Sequence, residues 1–281
     1  PATTEGPRRV FLDAVIFTRV VKSAKGDVDL ACWVRWALYA GVEIVYLFDT
    51  SGTFAESDGR ALDLPGIPAL VSAGALVVAK RKVPKWHESL QKALRYQLEF
   101  YAEVRKRHPD STWRMFLDYD EFIFSPADTA RGFLRRYLEE APKDVAVVQL
   151  KNFIFGGIDL KETQPNISSK RTARALRYLW RAPDKAAMSD VHPKYLARLK
   201  TTCSYGVHSA MACPGHRRLL ADPSELRFNH YWGGRVSRPN AKKYYVEDRS
   251  MLKPFEQMLA SMGPSGTEAT FKSGVWPDSG L

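Results

Sequence analysis

Residues 10–17, Val-Phe-Leu-Asp-Ala-Val-Ile-Phe, form a nearly continuous apolar run, the pattern of a strand covered on both faces. Over 29–40 the period changes: Leu30, Trp33, Ala37 and Leu38 share one stripe, Asp29 lies in the first turn, and Gly41 stands where a helix would end. A second strand at 42–48 stops at Asp49, and Thr50-Ser51-Gly52 reads as a turn. Residues 53–74, rich in Gly, Pro, Asp and Ser, read as a surface excursion, followed by a strand at 75–79 and the basic cluster Lys80-Arg81-Lys82. Leu90, Leu94, Gln97, Leu98, Tyr101 and Val104 then recur at helical spacing within 86–107, and His108-Pro109 closes that helix. The strand from Trp113 to Leu117 runs straight into Asp118-Tyr119-Asp120-Glu121, after which Phe122-Ile123-Phe124 resumes the extended pattern. An amphipathic helix is predicted over 128–139, capped by Asp128 with Phe133, Leu134, Tyr137 and Leu138 inward, and a strand over 144–150.

Strand and helix thus alternate, which predicts an α/β fold: a mixed, mainly parallel, Rossmann-related sheet flanked by helices, with ligands outside the carboxyl ends of its strands. Beyond about 152 the periodicity weakens. Gly156-Gly157, the Pro165 region and the basic segment Ser168–Arg181 predict irregular or short elements laid across the first half, with a closing helix over 241–260. With no tandem repeat, low-complexity stretch or flexible linker, one domain is predicted over 1–281.

Composition narrows the class. Apolar residues at 45% and charged residues at 26% exclude disordered and fibrous chains. A net charge of +11 favours anionic partners without choosing among nucleotides, nucleic acid and an acidic membrane surface. Cys32, Cys203 and Cys213 have neither the density nor the even count of a disulfide framework, and the Cys203–His208–Cys213 spacing matches no closed zinc site. The longest apolar stretches fall well short of the roughly 20 residues a bilayer crossing needs. Pro1 as first residue is compatible with an excised fragment, so a cytoplasmic and a Golgi or secretory location both stay open, as does peripheral membrane association through a removed segment.

The segment Asp118-Tyr119-Asp120-Glu121 carries the most chemistry. Alternate residues of an extended segment point the same way, so two carboxylates can be aimed at one object. Close carboxylates repel unless a cation or proton intervenes, and Mg²⁺ or Mn²⁺ typically bridges protein carboxylates and substrate phosphates. A solvated strand-end turn is the plainer reading of an Asp-x-Asp triplet. An apolar strand before it, aromatics around it and Arg/Lys clusters elsewhere favour a metal–diphosphate site. No glycine-rich dinucleotide fingerprint, phosphate loop, nucleophile elbow or metalloprotease helix is present.

In these segments the chain resembles nucleotide-sugar glycosyltransferases of the GT-A fold, specifically glycosyltransferase family 92 and family 2-like proteins. The resemblance rests on Ile16-Phe17-Thr18-Arg19, Asp29-Leu30-Ala31-Cys32-Trp33, Gly41-Val42-Glu43 and Tyr46-Leu47-Phe48-Asp49. It continues through Phe116 to Ile123, Phe155-Gly156-Gly157, His192-Pro193, His208 and Asn229-His230-Tyr231, in the family's order. The chain departs from the family pattern at Gly26-Asp27, Cys32 and Trp232.

The resemblance implies a metal-dependent transferase that moves a hexosyl or related sugar from a nucleoside-diphosphate sugar donor to a hydroxyl of a glycan or glycoconjugate acceptor, with inversion. It implies a nucleotide-sugar-binding half over 8–150 and an acceptor-side half over 151–281, and nucleic acid is not an expected partner. Asp118 and Asp120 of this DXD-type motif would hold Mn²⁺ or Mg²⁺, with His230 as third ligand and Tyr119 between them in the donor site. Thr18, Arg19 and Asp49 would face base or ribose, and Lys80, Arg81, Lys92 and Arg95 phosphate or ribose. Tyr231 and Trp232 would either stack on a sugar face or fill the core, and His208 has the same two readings as ligand or loop histidine. The acceptor base is sought among Asp190, Asp159, Glu162, Asp222 and Glu225, with Asp190 and Asp159 first because they sit inside or beside the matching segments. A nucleic-acid-binding protein and a metal-dependent nucleotidyltransferase or phosphotransferase are the alternatives, with a non-catalytic scaffold behind them.

Overall fold

Strand β1 (Leu12–Thr18) shows why the chain builds layers on both sides of a sheet. Leu12, Ala14 and Ile16 join one apolar cluster, with α1 (Gly26–Ala40), while Val15 and Phe17 join a second on the opposite face. The computed structural model describes residues 10–18, 26–49, 67–80, 90–156, 178–182, 192–233 and 246–261. After α1 come β2 (Ile44–Asp49), α2 (Ile67–Ser72), β3 (Leu76–Lys80), α3 (Leu90–Arg107), β4 (Trp113–Phe116) and β5 (Glu121–Phe124). Then follow α4 (Phe133–Glu140), β6 (Val145–Leu150), β7 (Asn152–Gly156), β8 (Trp180–Arg181) and β9 (Lys194–Arg198). Strands β10 (Thr202–Tyr205), β11 (Ala210–Ala212), β12 (Arg217–Leu220), β13 (Arg227–Gly233) and β14 (Val246–Glu247) precede the helix α5 (Leu252–Ser261).

The main sheet has seven strands in the order β12-β6-β9-β4-β1-β2-β3. Its pairings are parallel except where β9 runs antiparallel between β4 and β6. The chain winds from β1 outward to β3 and then returns to place β4 on the other side of β1, so the sheet's switch point lies between β1 and β4. This is a single α/β domain with a mixed, mostly parallel sheet flanked by helices, Rossmann-related and GT-A-like as expected. A second sheet, β14-β8-β7-β13-β5, carries β13 antiparallel to β5.

Helix α1 stops where the glycine signal placed its end. Gly41 at φ +114° lets its N–H donate to Leu38 O at 3.1 Å and the Val42 N–H to Ala37 O at 3.0 Å, a Schellman closure. A Cβ at Gly41 would also meet Arg135 Cβ at 3.0 Å, so the position is closed to side chains on two counts.

Three expectations are corrected. The helix predicted from 128 begins at Phe133. Asp128 caps no helix: its carboxylate accepts the Ala130 N–H and the Arg136 guanidinium, and Gly132 in the left-handed region separates that turn from α4. Within 53–74, read as a surface excursion, residues 67–72 form α2 with Ile67 and Leu70 buried against the core, while 53–66 lie outside the described residues. The closing helix starts at Leu252, behind the short strand β14.

Candidate active site

The carboxyl ends of the parallel strands gather residues far apart in the chain. Thr18 pairs in register with Asp49, and Asp49 with Lys80, so three of the expected donor-site residues form one row across β1, β2 and β3. Thr18 and Asp49 are buried, above the stacked rings of Phe17 and Phe48 at 5.1 Å and Phe100 of α3 at 4.6 Å from Phe48. Val15 pairs with Phe116, so Asp118 follows two residues past the end of β4, at the switch point.

The acidic motif is held from three directions. Trp33 and Trp36 of α1 donate their indole N–H groups to the carbonyls of Glu121 and Ile123, both at 2.6 Å, fixing β5 against the helix. The Glu121 carboxylate, 2% exposed, accepts the Asp118 N–H at 2.8 Å. From β13, the Tyr231 N–H donates to Asp120 O at 2.8 Å, and His230 stands opposite Glu121 in register. The His230 ring lies with Nε2 3.7 Å from Asp120 Oδ1 and Nδ1 3.7 Å from Glu121 Oε1. Tyr119 packs against the main core cluster.

A lysine completes the cluster. Lys194, the first residue of β9, is 1% exposed, and its Nζ lies 2.7 Å from Asp118 Oδ2 and 3.1 Å from Glu121 Oε2. Burial works against its charge, but the two carboxylates outweigh it and hold the ammonium protonated well beyond its ordinary range. Burial likewise pushes the Asp118 carboxyl up, and the Lys194 ammonium more than reverses this, leaving it below the usual carboxylate range. For Glu121 burial wins: the carboxyl is pushed up to about 8, with Asp118 and Asp120 adding to the push and Lys194 opposing it. One ammonium therefore serves two carboxylates, of which Glu121 is the more deeply buried.

His208 borders the same group. Burial, then the Lys194 charge, then His192 lower its pKa to about 4, and its ring stands 4.7 Å from that of His192. It sits at the tip of the β10–β11 hairpin, which Cys203 and Cys213 tie with a disulfide. The cysteine count alone hid this pair; the antiparallel register of Thr202 with Ala212 brings the two together.

The remaining predicted residues divide. Arg95 lies on the exposed face of α3, paired with Glu99 at 3.0 Å. Lys92 lies in the first turn of α3, and Arg19, Arg81, Asp159 and Asp190 lie outside the described residues. Tyr231 is a core aromatic, wedged against Phe122 and Phe155. Among the described residues no group of three His, Cys, Asp or Glu side chains is arranged to hold a metal ion. The Asp120 carboxylate and the His230 ring, 3.7 Å apart, form a pair rather than such a group.

No protein-family model matches the chain, and no curated protein matches its sequence. Among solved structures, one described as a mycobacterial protein is 14% identical over 97% of this chain and 77% of its own, with a TM-score of 0.34. Mannosyl-3-phosphoglycerate synthase from Rubrobacter xylanophilus is 13% identical over 90% of this chain and 75% of its own, with a TM-score of 0.29. Likenesses this slight carry neither fold nor function, which rest on the topology and the side chains above.

Proposed function

We propose that this protein transfers a sugar from a nucleoside-diphosphate sugar to a hydroxyl of a glycan or glycoconjugate, with Mn²⁺ or Mg²⁺. The observation that carries the reading is the convergence at the sheet's switch point: the Thr18–Asp49–Lys80 row on one side and the Asp118–Glu121 motif with His230 on the other. In open α/β sheets that crevice is where ligands bind. In this reading Thr18 and Asp49 face the base and ribose, and Asp118, Asp120 and His230 are the residues that would hold the ion. When bound, such an ion neutralises the diphosphate and stabilises charge on the leaving group.

The acceptor hydroxyl then attacks the anomeric carbon; the bond to the diphosphate oxygen breaks as the new glycosidic bond forms, and a carboxylate takes the hydroxyl proton. Asp190 and Asp159 are proposed as that base.

The test is product analysis on a panel of nucleoside-diphosphate sugars with Mn²⁺ and mixed oligosaccharide acceptors. The reading expects release of a nucleoside diphosphate with a glycosylated product. Release of pyrophosphate would assign the site to nucleotidyl transfer, and no metal-stimulated turnover of any donor would refute the proposal.

A further inference from the structure

The β10–β11 hairpin stands apart from both larger sheets as a two-stranded ribbon. Of its strand residues only Thr202 and Ala210 are buried, and a ribbon with so little apolar cover is marginal in water without a further restraint. The Cys203–Cys213 disulfide supplies one, closing the ribbon at the end away from its tip. The tip reaches the start of β9. Tyr195 donates its hydroxyl to Gly206 O at 2.5 Å, and the His208 ring lies 4.7 Å from that of His192. The His208 imidazole is also hydrogen-bonded to the Pro193 backbone, which offers only a carbonyl. His192 is held at φ +59°, in the left-handed region that a residue with a side chain enters only when its surroundings enforce it. Lys194 follows two positions later, with its ammonium on Asp118 and Glu121. The hairpin tip thus braces the strained backbone that delivers Lys194 to the acidic motif.

We propose that the Cys203–Cys213 disulfide is a redox switch for this cluster: closed, it holds the hairpin tip against residues 192–194, and reduction frees that segment and lets Lys194 leave Asp118. Cys203 is exposed, so a small dithiol has access to the bond. Exchange with the dithiol breaks the Sγ–Sγ bond, leaves a thiol on each cysteine with the two protons the dithiol gives up, and oxidises the dithiol to its own disulfide. The switch is independent of the transfer reaction, since every contact it uses lies within the chain.

Acetylation of lysines by sulfo-N-hydroxysuccinimide acetate, read residue by residue by mass spectrometry, tests this, because an amine reacts only when it is unprotonated and open to the reagent. In the oxidised protein Lys194 is expected to react at least about tenfold more slowly than the exposed Lys143. The protein is then reduced with dithiothreitol, blocked at both cysteines with iodoacetamide and freed of reagent. Lys194 should now react about tenfold faster or more, with the Lys143 rate and the circular dichroism spectrum unchanged. Cys203→Ala combined with Cys213→Ala should match the reduced protein whether or not dithiol is added. An unchanged Lys194 rate in the fully reduced protein overturns the inference. So does loss of the circular dichroism spectrum on reduction, which would make the disulfide a staple of the whole fold. Should the double variant not fold, the reduced wild type decides alone by the same two readouts.

Discussion

Two buried ion clusters sit on the same sheet, one on β1 and β4 and one just past the end of β4, and they are built differently. On β1 and β4, Asp13 and Arg114 face each other in register, with Nε to Oδ1 at 2.7 Å and Nη2 to Oδ2 at 2.6 Å. Ser111 donates to the same carboxylate, Arg114 also donates to His108 O at 3.0 Å, and the two side chains are 0–1% exposed. One anion meets one cation and both are shut in. At the carboxyl ends one ammonium meets two carboxylates, and Asp118 stays 37% exposed. The first arrangement is a staple that spends two charges on holding strands together. The second leaves one of its two carboxylates, Asp118, partly open to solvent.

The largest break in that contrast is Arg114→Met. It strands the Asp13 carboxylate inside the sheet and is expected to cost about 3–5 kcal/mol in chemical denaturation, most of it recovered by adding Asp13→Leu. Next is the response to pH. Glu121 rises from 4.5 unfolded to about 8 folded, so the folded state binds the extra proton and stability falls as pH climbs through that window. His208 drops from 6.5 to about 4, so its contribution is lost as pH falls between those values. Denaturation curves should therefore show opposing slopes, amounting to no more than a few kcal/mol, with Glu121→Gln removing the first and His208→Gln the second.

Lys194→Met is expected to cost less than about 2 kcal/mol at neutral pH, because Asp118 reaches water and Glu121, which burial already pushes up, can take a proton once the ammonium is gone. A loss equal to that of Arg114→Met would erase the distinction between staple and site. The smallest effect belongs to Trp33→Phe, which removes the indole donor to Glu121 O: about 1 kcal/mol of stability, read by the same denaturation, with the sheet intact.

Local pattern revealed β1, α1, β2, β3, α3 and β4 because their apolar runs are long and regular, and Gly41 marked a true helix end, whereas the six residues of α2 were too few to show a period. The acidic motif was legible as well, since an apolar strand leads into it. Lys194 was not: it is one of 42 Lys and Arg residues, and only the antiparallel insertion of β9 between β4 and β6 carries it beneath Asp118. His230 could be suspected from the resemblance, but its register against Glu121 arises from pairing between strands more than a hundred residues apart. Asp13 hid inside an apolar run because its partner lies 101 positions away. The short strands after β6, buried and paired with distant partners, gave no period to read. What hid Lys194, His230 and Asp13 was non-local pairing.

If the proposed donor site is real, a nucleoside diphosphate and a divalent cation bind together beside the end of β4, with Asp120 essential to both. Calorimetric titration of UDP and GDP into the protein with Mn²⁺ decides this. Saturable one-to-one binding of at least one nucleotide is expected, weakened about tenfold or more in Asp120→Asn and unchanged in Arg217→Ala, whose exposed side chain pairs with Asp144 at the far edge of the sheet. No binding of either nucleotide, or wild-type affinity in Asp120→Asn, would refute the donor site.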